Sequence, residues 1–230
     1  MAVRAAHKVR ATHDTRSGPE TPDAEQHPTN TRSRILDAGE RLVQIRGFNG
    51  FSYADVATEL SLTKASLHYH FPSKAELGEA LIARYGERFA QALAAIDANV
   101  TPPPAKLDAY ASLYAEVLRQ ERMCLCGMLA AEYQTLPDPI RNAVVAFLDD
   151  NEAWLTLVLE QGREDRSLRF TGTAADTARS IVSGLEGAML VARPYRAIER
   201  FETAAAQLLA GLAGAEIVRP TADAAVPRAS

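Results

Sequence analysis

The sequence predicts an all-α chain: a small N-terminal three-helix domain followed by a larger helical bundle. Three observations carry that expectation. Apolar residues recur at helical spacing through most of the chain, and no stretch alternates convincingly with period two. A hydroxyl residue followed three positions later by an acid, the pattern of a capping box, occurs at Ser52 with Asp55 and at Ser73 with Glu76. Pro72, Pro102, Pro103, Pro104 and Pro137 fall between the periodic segments, where helices must stop or start.

Taken in order, residues 1–30 are rich in Pro, Thr, Ala and charge and have no period, which predicts a disordered tail. Its basic residues Arg4, Lys8, Arg10 and Arg16 are matched by four acids, so the tail is neutral. It is either an inert leader or an arm that follows a DNA groove with Arg4, Lys8 and Arg10. A first helix is expected over 33–46, with Ile35, Leu36, Leu42, Val43 and Ile45 apolar. In the next segment Ser52 caps a short helix whose apolar face is Val56, Ala57 and Leu60. Ser61 and Leu62 form a turn, and Thr63 caps another short helix anchored by Leu67 and Phe71, four apart. Pro72 ends it. Two short helices across a tight turn are the format of a helix-turn-helix, whose second helix enters the DNA major groove. The domain therefore spans 31–77.

The second short helix carries no acid and shows Lys64, Ala65, Ser66, His68, Tyr69 and His70. Hydroxyls, lysines and helix N-termini hold phosphates, and Tyr, Ser and Lys also reach base edges. Ser52, Tyr53, Thr63 and Lys74, the last beside a helix N-terminus, complete the candidate DNA-binding set. A small amphipathic hairpin with a polar outer face would show the same pattern. The net charge of −4 is unusual for a DNA binder, but charge must be counted locally. Between Thr31 and Leu77 six Lys or Arg face five acids, a surplus of one. Affinity should then rest on a two-fold dimer with many phosphate contacts.

At these residues the sequence resembles the TetR family of bacterial transcriptional regulators. The resemblance rests on Gly47-Phe48, on Ser52-Tyr53-Ala54-Asp55-Val56-Ala57, and on Leu62-Thr63-Lys64-Ala65-Ser66-Leu67-His68-Tyr69-His70-Phe71-Pro72-Ser73-Lys74 with Leu77. Three positions depart from it. Ser61 stands where the family usually has Gly, so the turn must bear a left-handed Ser at some cost. His68 often replaces a Tyr and Ala65 a Gly, so base preference does not carry over. The resemblance implies a homodimer on double-stranded operator DNA, usually palindromic, released by a small-molecule effector, and most often a repressor.

Residues 78–215 should then hold the ligand and the dimer contact. A long helix follows Ser73 through Leu77, Leu81, Ile82, Tyr85, Phe89, Leu93 and Ile96 and stops at Thr101. Further helices are expected over 104–120, 126–135 and 137–164, a loop over 167–172, and two last helices over 173–191 and 195–212. In those two, Ser183, Gly184 and Gly187 lie among apolar residues, which suits close helix approach; the resemblance implies that they form a four-helix dimer contact. A second short tail is expected over 216–230.

Ligand pockets between helices are mostly apolar with a few polar groups. Candidates are Tyr110, Tyr114, Cys124, Met128, Glu132, Tyr133, Phe147, Asn151, Trp154 and Met189, although a stripe of aromatics also reads as ordinary core. Cys124 and Cys126 are either two small buried hydrophobes or, at a helix N-terminus, reactive thiols of an oxidant or electrophile sensor.

Several classes are excluded or disfavoured. All five histidines lie in the tail or on the DNA-facing helix, no Gly-rich phosphate loop or HExxH occurs, and no metal shell assembles round two cysteines. No enzyme, metal site or cofactor is expected. No apolar run reaches 18 residues and no leader-like apolar segment opens the chain, so no membrane span is expected. Two cysteines fit a reducing cytosol, and a cytoplasmic protein is expected.

Overall fold

The computed structural model describes residues 28–212; the two tails expected from the sequence fall largely outside the described residues. Among the described residues the chain is nine α-helices with two 3-10 turns and no strand ladder: α1 (Pro28–Arg46), α2 (Tyr53–Leu60), α3 (Lys64–His70), α4 (Lys74–Asn99), α5 (Pro103–Arg119), α6 (Leu125–Ala131), α7 (Asp138–Glu164), α8 (Ala174–Ala192) and α9 (Ile198–Ala210). The all-α expectation holds. The 3-10 turns, Tyr133–Thr135 and Arg193–Tyr195, follow α6 and α8.

The capping signals act where the sequence places them. Ser52 and Asp55 form a reciprocal capping box on α2, Thr63 accepts from the Ser66 N–H on α3, and Ser73 accepts from the Glu76 N–H on α4. Ser61 ends α2 in the left-handed region at φ 54°. The cost is tolerated because its N–H closes on the last α2 carbonyls while Leu62 N–H reaches Ala57 O at 2.9 Å.

Three elements differ from the expectation. Helix α1 begins at Pro28, inside the stretch read as tail, because proline suits the first turn of a helix, where its missing N–H is no loss. Helix α6 ends at Ala131 rather than near 135; Glu132 carries the chain into a 3-10 turn. Helix α9 starts at Ile198, since Arg193–Tyr195 is 3-10 and Arg196 sits at φ 49°.

Helices α1–α3 close over Ile35, Val43, Val56, Leu67 and Phe71, and α4 leaves this unit to enter the bundle of α5–α9. In the bundle α8 packs along both α7 and α9, and α7 also packs along α4. Gly78 on α4 is where the two units touch: a Cβ there would meet Phe48 of the first and Ile140 of α7. Buried Glu40 pairs with Arg84 at 3.2 Å and Arg88 at 2.5 Å, fixing α1 to α4.

Candidate nucleic-acid interface and effector core

The first candidate surface is α3. Leu67, with no exposure, is its anchor, and burying such a side chain contributes about 1.5–3 kcal/mol. With Leu67 inward, Lys64, Ala65, His68 and Tyr69 are exposed and Ser66 and His70 half-buried. Tyr69 is 80% exposed, the most exposed large hydrophobic among the described residues, and only His70 lies against its ring, 5.2 Å away. An aromatic left in water beside a lysine and two imidazoles suits base edges and the thymine methyl.

The other positions of the set divide. Tyr53 donates to Phe71 O at 2.8 Å and lies 4.9 Å from the His68 ring; burial, with Glu76 nearby, pushes its hydroxyl up to about 12, so it stays neutral. His68 Nδ1 is 3.1 Å from Pro72 O. The hydroxyls of Ser52 and Thr63 are engaged in caps. Lys74, expected as a DNA-binding cation beside a helix N-terminus, donates to Phe51 O at 2.6 Å and sits over the rings of Phe48 and Phe51, with burial holding its ammonium below the usual lysine range. It is first a clamp on the turn before α2. Ser52, Tyr53, Lys64, His68 and Lys74 nevertheless line one shallow depression of about 490 Å³.

The second candidate site lies inside the bundle. Tyr110 hydrogen-bonds Tyr114 at 3.0 Å and donates to Asn151 Oδ1 at 3.0 Å, and Asn151 donates to Phe147 O at 2.7 Å. Trp154 stacks on Tyr110 at 5.6 Å while its indole N–H reaches Asp97 at 2.8 Å. Cys124 accepts from Tyr85 at 3.7 Å. Six candidates, Tyr110, Tyr114, Cys124, Phe147, Asn151 and Trp154, thus meet in one cluster. Met189 is fully buried on α8, and Met128 lies instead by Arg193.

Glu132 and Tyr133 lie apart from this cluster. Glu132 Oε2 accepts from the N–H groups of Phe48 (2.6 Å) and Asn49 (3.1 Å), in the loop between α1 and α2. Its other oxygen lies against Gly47, at φ 84°, where a Cβ would collide with it. Tyr133 lies under Arg141 on the surface side.

Three residues of the cluster were not singled out from sequence. Tyr85 and Phe89 of α4 supply its floor, Phe89 lying 5.1–6.2 Å from Phe147, Tyr110 and Tyr114. The third is Glu186 of α8. Its carboxylate packs where a Cβ on Gly127 would be, its Oε1 is buried without a hydrogen-bond partner, and burial raises its pKa above the carboxylate range. The available signal was its spacing: Glu186 falls four after Val182 and three before Met189, on a buried face.

Cys124 stands at the N-cap position of α6 without a side-chain capping bond, and its thiol is raised rather than lowered. It is 2% exposed, and burial, then the Glu186 carboxylate, outweigh the helix N-terminus; Cys126 is raised chiefly by burial as well. Among the described residues no group of His, Cys, Asp and Glu could hold a metal, and no helix is long and apolar enough to cross a membrane.

Two family models match the chain. One, described as bacterial regulatory proteins of the tetR family, covers residues 35–81; the other, a tetracyclin repressor-like C-terminal domain, covers 103–208. The chain is 29% identical over 189 residues to the HTH-type transcriptional repressor NemR of Escherichia coli K12, covering 78% of this chain and 92% of that protein. A TetR-family regulator from Agrobacterium tumefaciens superposes with a TM-score of 0.79 at 30% identity, over 82% of this chain and 100% of that one. A TetR regulator from Legionella pneumophila does so at 0.71 and 34%, over 80% and 97%.

Proposed function

The chain belongs to the TetR family of transcriptional regulators, and from that premise we infer that it is a ligand-responsive repressor, not an enzyme, acting in the cytoplasm on a palindromic operator as a homodimer. The α3 surface reads the groove, with Lys64, Ser66, Tyr69 and His70 as the contact groups and the depression round Ser52 and Tyr53 meeting the backbone. Two copies related by a two-fold axis present α3 to half-sites about 34–36 Å apart, or a multiple of that.

One observation carries the ligand response. The short α6 segment that places Cys124 in the aromatic cluster also places Glu132 on the backbone of the loop before α2. A molecule that entered the cluster and moved α6 would move that carboxylate, and with it the entry to the helix-turn-helix. It shifts the dimer only by binding one arrangement better than the other. The groove of about 400 Å³ between α4 and α7, lined by Phe89, Phe147 and Asn151, is the access side. The unpartnered Glu186 oxygen selects an apolar molecule with a hydrogen-bond donor.

The thiol-sensing alternative is disfavoured by geometry, because a buried, raised thiol holds little thiolate. Replacing both cysteines by Ser separates the two readings, since an unchanged response removes the thiol one. The principal test is fluorescence anisotropy on the DNA upstream of the chain's own gene. Wild type should bind it in a salt-dependent manner, and Tyr69→Ala should weaken binding at least tenfold with stability changed by no more than about 0.5 kcal/mol. Equal affinity of the two proteins would overturn the α3 assignment.

A further inference from the structure

A cavity of about 860 Å³ lies away from both candidate sites, at the junction of the DNA-binding unit and the bundle. Its walls come from α1, from the turn between α5 and α6, and from the 3-10 turn between α8 and α9. Five arginines line it, Arg41, Arg119, Arg122, Arg193 and Arg196, against a single acid, Glu121. Arg41 is paired with Glu59 and Arg119 with both Glu116 and Glu202, so with Glu121 counted a surplus of one positive charge remains. Arg193 is held by the Ile45 carbonyl and by Met128 sulfur at 3.6 Å. The Arg122 and Arg196 guanidiniums have no hydrogen bond, ion pair or ring partner.

Arg122 is half-buried and Arg196 exposed; Arg122 also borders the depression lined by Asp37, Glu40 and Glu59, yet among the described residues no carboxylate pairs with it. Arg196 is held at φ 49°, a conformation in which a non-glycine residue carries local strain. Ile45, Leu118 and Ile198 give the wall apolar patches between the guanidiniums. The volume falls in the range of small-molecule sites. Guanidiniums set beside apolar patches are complementary to an anion that carries a hydrocarbon body, and their planar forks match a carboxylate with two N–H donors.

We propose that this junction is a binding site for an organic carboxylate with an apolar body, held by Arg122 and Arg196. The site is distinct from the aromatic cluster and stands whether or not the chain binds DNA. Its consequence for the operator rests on the repressor reading. Arg193 and Ile45 line the same wall, so an anion that draws Arg193 away frees the last turn of α1, two residues before Gly47.

Isothermal titration of the full chain with octanoate, benzoate and 1-octanol tests it. At least one of the two carboxylates should bind while 1-octanol binds at least tenfold more weakly, and R122Q/R196Q should weaken the carboxylate at least tenfold. The thermal midpoint of R122Q/R196Q should match wild type, since neither side chain has a partner to lose; R122K/R196K, which keeps charge but not the fork, should retain intermediate affinity. Failure of both carboxylates to bind, equal binding of 1-octanol, or unchanged affinity in R122Q/R196Q overturns the site. The same titration in the presence of labelled upstream DNA reads the coupling separately: octanoate binding with the DNA complex intact removes the link through Arg193 and leaves the site standing.

Discussion

At the scale of single residues, the carboxylates Glu132 and Glu186 divide the labour of the molecule. Glu132 is the acceptor for two backbone N–H groups beyond the end of α1, so Glu132→Ala leaves the half-buried Phe48 N–H unpaired, at a cost of about 1–3 kcal/mol. The urea midpoint should fall in Glu132→Ala and be largely restored in Glu132→Gln, which keeps an acceptor oxygen; an unchanged midpoint in the alanine variant would show that the contact carries no stability. Glu186 works in the opposite sense. Burial raises its pKa in the folded chain, so the folded state holds a proton more readily than the unfolded one, and stability declines as pH rises above the free carboxyl value near 4.3. Glu186→Gln should therefore raise the thermal midpoint at pH 7.5 more than at pH 4, and an equal gain at both would contradict the burial argument. Neither role was legible in the sequence. From sequence Glu132 reads as a pocket or solvated acid, because nothing in the chain announces a partner 84 residues away. Glu186 lay in plain view as the one acid on a buried face, but periodicity alone does not say whether a charge is buried or turned aside.

At the scale of elements, the local chemistry was readable and the distant chemistry was not. Caps at Ser52, Thr63 and Ser73 and the helix stop at Pro72 act within four residues of themselves, so the helix-turn-helix follows from its own sequence. The turn at Ser61 shows how far such reasoning reaches: its left-handed conformation was expected from position, against the preference of serine. Lys74 shows where it ends, because a lysine at a helix start looks like a phosphate group until the rings of Phe48 and Phe51 are folded against it. The α2 cap also carries a pH dependence. Hydrogen bonds from Ser52, first its side chain and then its backbone, with Arg46 nearby, hold Asp55 below the usual carboxylate range. A depressed acid stabilises the fold above its unfolded pKa, near 3.9, and that contribution is lost as pH falls through the lower folded value. Between pH 5 and pH 2.5 the wild-type midpoint should fall more steeply than that of Asp55→Asn, which lacks the titrating group. Parallel profiles would remove Asp55 as the cause.

At the scale of the whole molecule, a single α3 is too short and its domain too nearly neutral to hold DNA firmly, so the proposed repressor requires two copies. On the repressor reading, the bundle offers a surface on which they would meet. Small residues of α8 that look alike in the sequence separate by direction: Gly184 faces inward, where a Cβ would meet Leu208 of α9, whereas Gly187 has open space before it. Ser180, Ser183, Gly187, Leu190 and Val191 form an exposed stripe at helical spacing, ending in two large hydrophobics 62% and 60% exposed. Small residues beside exposed aliphatics are the composition of a close helix–helix contact, and a two-fold axis through the stripe would lay α8 on the partner's α8, with α9 alongside. Placing one aspartate at Leu190 and another at Val191 would set four carboxylates against one another across that axis. Leu190→Asp with Val191→Asp should therefore give a single 24.9 kDa species by light scattering where wild type gives twice that mass. Because both side chains are exposed in the single chain, helicity by circular dichroism should be retained. Affinity for a two-half-site DNA should drop by at least a hundredfold, while affinity for a single half-site, set by one α3, should stay within a few-fold of wild type. A variant that remains dimeric would move the contact off this stripe, and one that turns monomeric without losing affinity for the full site would show that one copy of α3 suffices.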